Sequence, residues 1–385
     1  MLFRPSALPG TTQPLTQKAD LIVEAFNEIG CDAVNVGEYD LYAGRAYLEE
    51  KAREAQFPFL SANLRDAATG ELAFQPYTIT EKADLTIGIF GLITDRFKLK
   101  DPSLVAEDPV TAAQRVVNEL RPKCDLLIAL TYMGVMDDQR VAQQVAGIDM
   151  IIGGRSGAVL SQPLVINGTL IMQAQNRGRY LGQLELVLGE SPLRLYKSIA
   201  TDIPDGATRY TNTIMPMSDS IASDAHIQQM VDTYKQSTAE REQARPTPRA
   251  PQAAVRYMGH EACKDCHTPQ HEFWKKTLHA HAYATLVSKS DEYNPECVGC
   301  HTTGYNKPGG FPQPNMVTYA RDLRDVQCEM CHSVGFTHVQ LPRRNTITRR
   351  PPATTCQTCH TADTHPDFDY VTAILKIACP PNVPR

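Results

Sequence analysis

One five-residue pattern constrains this chain more than any property averaged over it. Cys263-Lys264-Asp265-Cys266-His267 returns in form as Cys297 to His301 (CVGCH), Cys328 to His332 (CEMCH) and Cys356 to His360 (CQTCH). The first cysteines are 34, 31 and 28 residues apart. C-x-x-C-H is the attachment sequence of c-type haem. Two thiols separated by two residues can form thioethers to the two vinyl groups of one porphyrin. The adjacent imidazole then lies beneath the macrocycle as an iron ligand. At this Cys and His content the pattern is expected by chance about 0.01 times, so four copies decide the reading. Zinc would use C-x-x-C pairs grouped two by two, with no need of a His after each. Disulfides seldom repeat an x-x gap four times. The sequence thus predicts four covalently attached c-type haems on Cys263, Cys266, Cys297, Cys300, Cys328, Cys331, Cys356 and Cys359. His267, His301, His332 and His360 are the expected proximal iron ligands.

The chain's chemistry is unevenly placed. All eleven His fall between His226 and His365, and only Cys31 and Cys124 of the eleven Cys precede residue 260. This predicts three segments: a first domain over 1–215, a helix and Pro-rich linker over 216–254, and a haem domain over 255–385. The linker is read from a polar helix at Ser218 to Gln243 and from prolines at 246, 248 and 251. Four haems in roughly 120 residues leave roughly 30 residues each, so the macrocycles form the core and the polypeptide wraps them. Porphyrins held that close pass electrons among themselves.

Sixth ligands are sought among the remaining His. His279 and His281 lie in Thr277 to Ala284, an expected helix, about 200° apart around it, and could serve two different haems. His338 and His365 follow the third and fourth motifs closely. These four are the candidate distal ligands. His260 and His271 are read as surface residues, and His226 as no ligand. Trp274 is expected against a porphyrin face. Distal His would give lower potentials than Met/His ligation.

Before residue 216 the pattern is α/β, with helices at Lys18 to Ile29, Arg45 to Ala55, Val110 to Leu120 and Asp137 to Ala146. Leu85 to Leu92 and Asp125 to Leu130 are nearly continuous apolar runs, the signature of strands buried on both faces of a parallel sheet. Strand-like runs from Leu164 to Leu195 suggest hairpins. The longest apolar stretch, Leu85 to Ile93, is far short of the ~20 residues that cross a bilayer, so no transmembrane segment is expected. A net charge of -5 and a pI of about 6.1 exclude a nucleic-acid binder that relies on overall positive charge.

Two resemblances sharpen these readings. His260 to Cys263, Phe273 to Thr277, HAHAYATL, ECVGCHTTGYNKPGGF and VQCEMCHSVGFTHV resemble the multihaem cytochrome c family related to the tetrahaem cytochrome of ammonia oxidisers. That resemblance covers about 255–370. It implies haem-to-haem electron transfer outside the cytoplasm, and His338 together with His279 or His281 as distal ligands. Cys379-Pro380-Pro381 stands where a further ligand could be expected.

AVNVGEYDLYAG (33–44), FPFLSANL (57–64), IGIFGLIT (87–94), DLLIALTYMG (125–134), GIDMIIGGRSG (147–157) and NGTLIMQAQNRGRYL (167–181) resemble the metallophosphoesterase fold of 5′-nucleotidases. Members hold two metal ions with Asp, Asn and His. The family's G-N-H-E stands here as Gly37-Glu38-Tyr39-Asp40, its S-H-x-G as Thr131-Tyr132-Met133-Gly134, and its G-G-H-S-H as Gly153-Gly154-Arg155-Ser156-Gly157. Every expected His is replaced, and Glu38, Asp40 and Asp149 cannot by themselves hold two ions about 3.5–4 Å apart. A scaffold or docking surface is expected, with no phosphatase activity. The family's first strand and an export signal both precede the point matched by Met1-Leu2-Phe3-Arg4, so an upstream segment carrying them is expected.

The combined expectation is an α/β phosphoesterase-like domain, its N-terminal strand missing, followed by a loop-rich, mostly α multihaem cytochrome c domain. It would work in the periplasm or at the cell surface, passing electrons between redox partner proteins. The alternatives are a redox enzyme acting on a small nitrogen or sulfur compound at an open haem, an active nucleotidase, and a filament-forming structural cytochrome.

Overall fold

The apolar runs form the centre of the first unit. Leu85–Ile93, Leu126–Tyr132 and Met150–Gly153 lie side by side as parallel strands, with Ile87 opposite Leu126 and Ile128 opposite Met150. Thr169–Met172 extends the parallel set, and Tyr77–Lys82 and Leu164–Ile166 close the two edges antiparallel. The order across the sheet is 77–82, 85–93, 126–132, 150–153, 169–172, 164–166. The helix Pro109–Leu120 starts cleanly because the Asp108 carboxylate accepts the Thr111 N–H at 2.8 Å and Pro109 occupies the first turn. Its buried face, Ala112, Ala113, Val116, Val117 and Leu120, packs with Phe90, Leu127, Ile151 and Ile171. A second apolar cluster joins Ala19 and Val23 of the helix Thr16–Ile29, Leu48 of the helix Arg45–Glu54, and Ile93.

The computed structural model describes residues 16–380 apart from 100, 176, 190–194, 198–202, 245–255, 312–321, 362, 363 and 366. The linker prolines, Met1 to Arg4 and Pro381 lie outside the described residues. The described chain divides into two units between Asp224 and Ala225.

Three elements differ from expectation. Thr169–Met172 is a parallel member of the main sheet as well as half of a hairpin. Tyr180–Val187 pairs antiparallel with Thr208–Pro216, a strand with no sequence counterpart above, and Leu195–Lys197 joins the latter in parallel. The long polar helix begins at Ala225 rather than Ser218. A local turn at Ser218 to Ile221, with the Ser218 and Ser220 hydroxyls 2.7 Å apart, competes with the helix there. The helix Ala225–Ala244 belongs to the second unit, tied by the Lys235 ammonium to the Lys289 carbonyl at 2.6 Å and to Asp291 at 3.3 Å.

The second unit is helical and loop-rich. It contains the short helices Glu261–Lys264, Thr268–Trp274, Ala282–Val287, Pro295–His301, Cys328–His332, Phe336–Gln340, Ala353–Cys356 and Tyr370–Ile377. Its buried apolar side chains, among the described residues, are Ala282, Tyr283, Leu286, Val298, Tyr305, Phe311 and Leu323. So few are a thin side-chain core for a unit of this length.

Candidate functional site

Each C-x-x-C-H sits on one helical turn. His267 N–H donates to the Cys263 carbonyl and His360 N–H to the Cys356 carbonyl, both at 2.9 Å. The second and third motifs lie within the helices Pro295–His301 and Cys328–His332. Four residues make about one turn, so the first Cys and the His project from the same side. A thioether-held ring would therefore lie across the imidazole.

Backbone carbonyls fix two of these rings. His301 Nδ1 lies 2.7 Å from the Ala282 carbonyl, and His332 Nδ1 lies 2.7 Å from the Thr348 carbonyl. Each such contact places the proton on Nδ1 and turns the Nε2 lone pair outward, the arrangement that orients a metal-binding His.

Two further His meet a partner from a distant part of the chain. The His267 and His338 ring centroids are 6.1 Å apart with planes inclined 30°, and those of His279 and His360 are 6.1 Å apart at 58°. Two imidazoles bound on opposite sides of one metal at about 2.0 Å per bond place their centroids about 6.3 Å apart. Both centroid spacings are close to that value. His338 Nδ1 lies 3.0 Å from the Thr346 hydroxyl, which leaves its Nε2 for coordination. Burial depresses the His279 and His360 pKa values, and for His360 the neighbouring His279 and His365 add to the effect. The neutral imidazole, the form that binds metal, is favoured.

The other candidates sit differently. His365 Nδ1 is 3.0 Å from His360 Nδ1, with centroids at 5.2 Å, a direct hydrogen bond rather than an opposed pair. His281 is exposed and its Nε2 faces the Lys275 carbonyl at 3.1 Å. His279 and His281 thus address different neighbours. His271, read as a surface residue, is buried at 2% exposure and lies 3.0 Å from His260. Trp274 packs on both of these rings, at 4.7 and 5.9 Å. A lone His in TPQHEFW carries no periodic signal, and only the nearby Trp274 hints at burial.

The thiols approach one another across motifs. A hydrogen bond from Cys263 to Cys328 pushes the Cys263 pKa up and the Cys328 pKa down. Cys359, bonded by Cys300, is lowered to about 7, and burial raises Cys331 to about 12. The first motif therefore adjoins the third, the second adjoins the fourth, and Cys331 of the third also lies near Cys356 and Cys359 of the fourth. Glu329, inside the third motif, is buried. It accepts the Met258 and Gly259 N–H groups at 2.8 and 2.9 Å, and the Gly335 N–H at 2.6 Å.

In the first unit, the three loops matching the metal-binding motifs converge beyond the C-terminal ends of the strands, where α/β sheets place their sites. A Cβ on Gly37 would stand 3.1 Å from the Tyr132 ring, and one on Gly154 3.3 Å from it, so Tyr132 fills the space between the loops. The Arg155 guanidinium pairs with Glu38 at 3.3 Å and lies over the Phe97 ring at 4.1 Å. Asp40 caps the Gly37 N–H at 2.9 Å. Burial, then the negative neighbours Glu38, Tyr39 and Asp40, drive the Tyr132 phenol pKa upward. The donor set is a guanidinium, two phenols and two carboxylates. It does not fit two metal ions, because a fixed positive charge already faces the carboxylate.

Comparison with known proteins agrees with both halves. The family model described as cytochrome c554 and c-prime matches residues 262–333, a span that holds the first three motifs. The 5′-nucleotidase of Vibrio cholerae serotype O1 is 30% identical over 212 residues, covering 46% of this chain and 38% of that protein. Human 5′-nucleotidase is 29% identical over 231 residues, covering 50% and 40%. The chain thus spans about two fifths of the length of the curated relatives it matches. Among solved structures, the 5′-nucleotidase precursor of Thermus thermophilus superposes with a TM-score of 0.51 at 18% identity, over 72% of this chain and 55% of that one. No helix among the described residues is long and apolar enough to cross a membrane. The chain joins a phosphoesterase fold similar to that of the 5′-nucleotidases to a helical region whose residues 262–333 match the cytochrome c554 and c-prime family, a match that implies covalently bound haem c.

Proposed function

We propose that this protein is an exported tetrahaem cytochrome that relays electrons between redox partners, and that its phosphoesterase-like unit does not hydrolyse phosphate esters. The observation that carries the reading is four C-x-x-C-H turns, two of whose His lie 6.1 Å, centroid to centroid, from a second His. Cys263/Cys266, Cys297/Cys300, Cys328/Cys331 and Cys356/Cys359 would hold the macrocycles, with His267, His301, His332 and His360 as proximal ligands. His267 and His338 would hold one iron, and His360 and His279 another. His365 is given the role of orienting His360 through its Nδ1. Haem bound there supplies reversible one-electron chemistry at iron.

The chain's own residues set the conditions for that chemistry. Half-buried imidazoles at His279 and His360, with pKa values lowered, keep lone pairs available, and backbone carbonyls at His301 and His332 lock ring orientation. Bis-His ligation keeps potentials lower than Met/His ligation. The contacts of Cys263 with Cys328, of Cys300 with Cys359, and of Cys331 with Cys356 and Cys359 support neighbouring haems in the order one, three, four, two, with short steps for electrons. Thioether attachment of this kind supports work outside the cytoplasm, in the periplasm or at the cell surface.

Protein produced with the haem-attachment machinery would be assayed by pyridine haemochrome and intact mass. Four haems per chain are expected, and a lower, uniform count overturns the tetrahaem reading. For the first unit, nucleotide hydrolysis would be measured with manganese, cobalt and zinc added. No turnover is expected; metal-dependent release of phosphate refutes the inactive reading.

A further inference from the structure

Three side chains assigned to no haem converge beside the first motif, His260 and Glu261 before it and His271 after it. His260 Nδ1 and His271 Nε2 are 3.0 Å apart. Glu261 Oε1 lies 3.4 Å from the first and 3.9 Å from the second. All three donor atoms fall within 4.8 Å of one another. Two ligands held about 2.0–2.1 Å from one metal stand about 3.0 Å apart at an octahedral right angle and about 3.4 Å apart at the tetrahedral angle. The 3.0 Å between the two imidazole nitrogens and the 3.4 Å from His260 to Glu261 match neighbouring positions on one ion, and the exposed Glu261 carboxylate has to close on His271 by about 0.5 Å to complete the set. These separations do not suit opposite faces of a haem, where the two nitrogens would be about 4 Å apart.

The surroundings hold the donors in place. His271 is 2% exposed. Its far nitrogen, Nδ1, is buried with no hydrogen-bond partner, and the nearest acceptor is Glu272 Oε1 at 3.5 Å. A carboxylate behind the ring is the usual outer partner of a metal-binding His. Trp274 packs against the His260 ring at 4.7 Å while its indole N–H donates to the Val326 carbonyl at 2.9 Å. The His260 backbone N–H is fixed by Gln327 at 2.7 Å. Glu261 is exposed and gives the site an open side.

We propose that His260, Glu261 and His271 bind one divalent transition-metal ion, beside but separate from the first haem. Two imidazoles and one carboxylate select zinc, copper(II) or nickel over calcium and magnesium, which prefer all-oxygen shells. Three donors leave at least one position for water. The net charge of the filled site is +1, two residues from Cys263.

The test uses haem-loaded full-length protein, stripped with EDTA, dialysed against zinc chloride and analysed for zinc and iron by mass spectrometry. One zinc per chain beyond the haem iron is expected. Glu261→Gln should weaken zinc binding at least ~10-fold, and His260→Ala should abolish it, with haem spectra unchanged in both. Should His271→Ala fail to fold, the exposed Glu261 still carries the test. The proposal is overturned by an absence of zinc above the iron count, or by equal zinc in the wild type and both variants. Loss of a low-spin haem signal in His260→Ala also overturns it, since these imidazoles would then serve a haem. The haem count is read in the same sample, so failure of the tetrahaem reading is distinguished from failure of this one.

Discussion

Glu329 offers the sharpest test of how the second unit is held together. One carboxylate oxygen receives the Met258 and Gly259 N–H groups, and the other receives Gly335 N–H. It thereby ties the third motif to the segment leading into His260 and to the turn before the helix bearing His338. Hydrogen bonds to a charged group contribute about 1.5–3 kcal/mol each, and a buried donor left unsatisfied costs about 1–3 kcal/mol. In Glu329→Gln the amide oxygen can keep the first two donors, while its NH2 group faces Gly335 N–H, donor against donor. The expected loss is about 2–4 kcal/mol. Glu329→Ala removes all three acceptor contacts and should lose about 3–6 kcal/mol, moderated by water entering the space. Urea unfolding of the haem-loaded protein, followed by far-UV circular dichroism and the Soret band, reads both. Losses within about 0.5 kcal/mol for the two variants, or Gln worse than Ala, would refute the three-donor account.

Three more outcomes are expected. Burial raises the Asp138 carboxyl pKa to about 7, against a lowering by the Thr131 hydroxyl at 2.6 Å. The native state therefore binds more protons than the unfolded chain between about pH 4 and 7, and the stability this group contributes is lost as pH rises through that window. Asp138→Asn should flatten the decline of the first unit's melting temperature between pH 5 and 8 by roughly 2–6 °C; parallel pH profiles in wild type and variant would contradict it. His338→Ala should convert one low-spin haem to high-spin in the magnetic-resonance spectrum, whereas His281→Ala should leave the low-spin count intact, and the reverse pattern defeats the ligand assignment. Arg155→Ala should destabilise the first unit by about 1–3 kcal/mol by stranding Glu38, with no response of the wild type to EDTA. A rise in wild-type melting temperature on adding manganese would mean that the pocket holds metal after all.

The haem turns are legible in the sequence because thioether chemistry dictates their spacing. So are the parallel strands, because burial on both faces demands continuous apolar runs. Long-range pairing is a different matter. Nothing local in HAHAYATL tells which of His279 and His281 turns toward His360. Helical geometry predicts only that they diverge, as their separate neighbours show. His365 follows a motif by five residues, and that short spacing brings its Nδ1 to 3.0 Å from the His360 Nδ1. His271 reads as a surface residue for want of a pattern, since its burial comes from His260 and Trp274, neither of which defines a periodic face. In the first unit the lost His ligands are legible residue by residue. That Tyr132 and the Arg155–Glu38 pair fill the pocket instead emerges only when three loops are brought together. The late start of the helix Ala225–Ala244 reflects serine hydroxyls that offer the backbone a competing turn.

The opposed His pairs carry a topological consequence. His267 reaches forward to His338, and His279, which lies inside that span, reaches out of it to His360. Each iron link would close a circuit of some seventy to eighty residues, a long loop whose cross-linking removes more freedom from the unfolded chain than closing a short one. The two circuits are interleaved rather than nested, so tightening one confines the other. Loading of the first and fourth motifs should therefore be mutually reinforcing, and a chain denied either cofactor should lose its clasp on both ends of the unit at once.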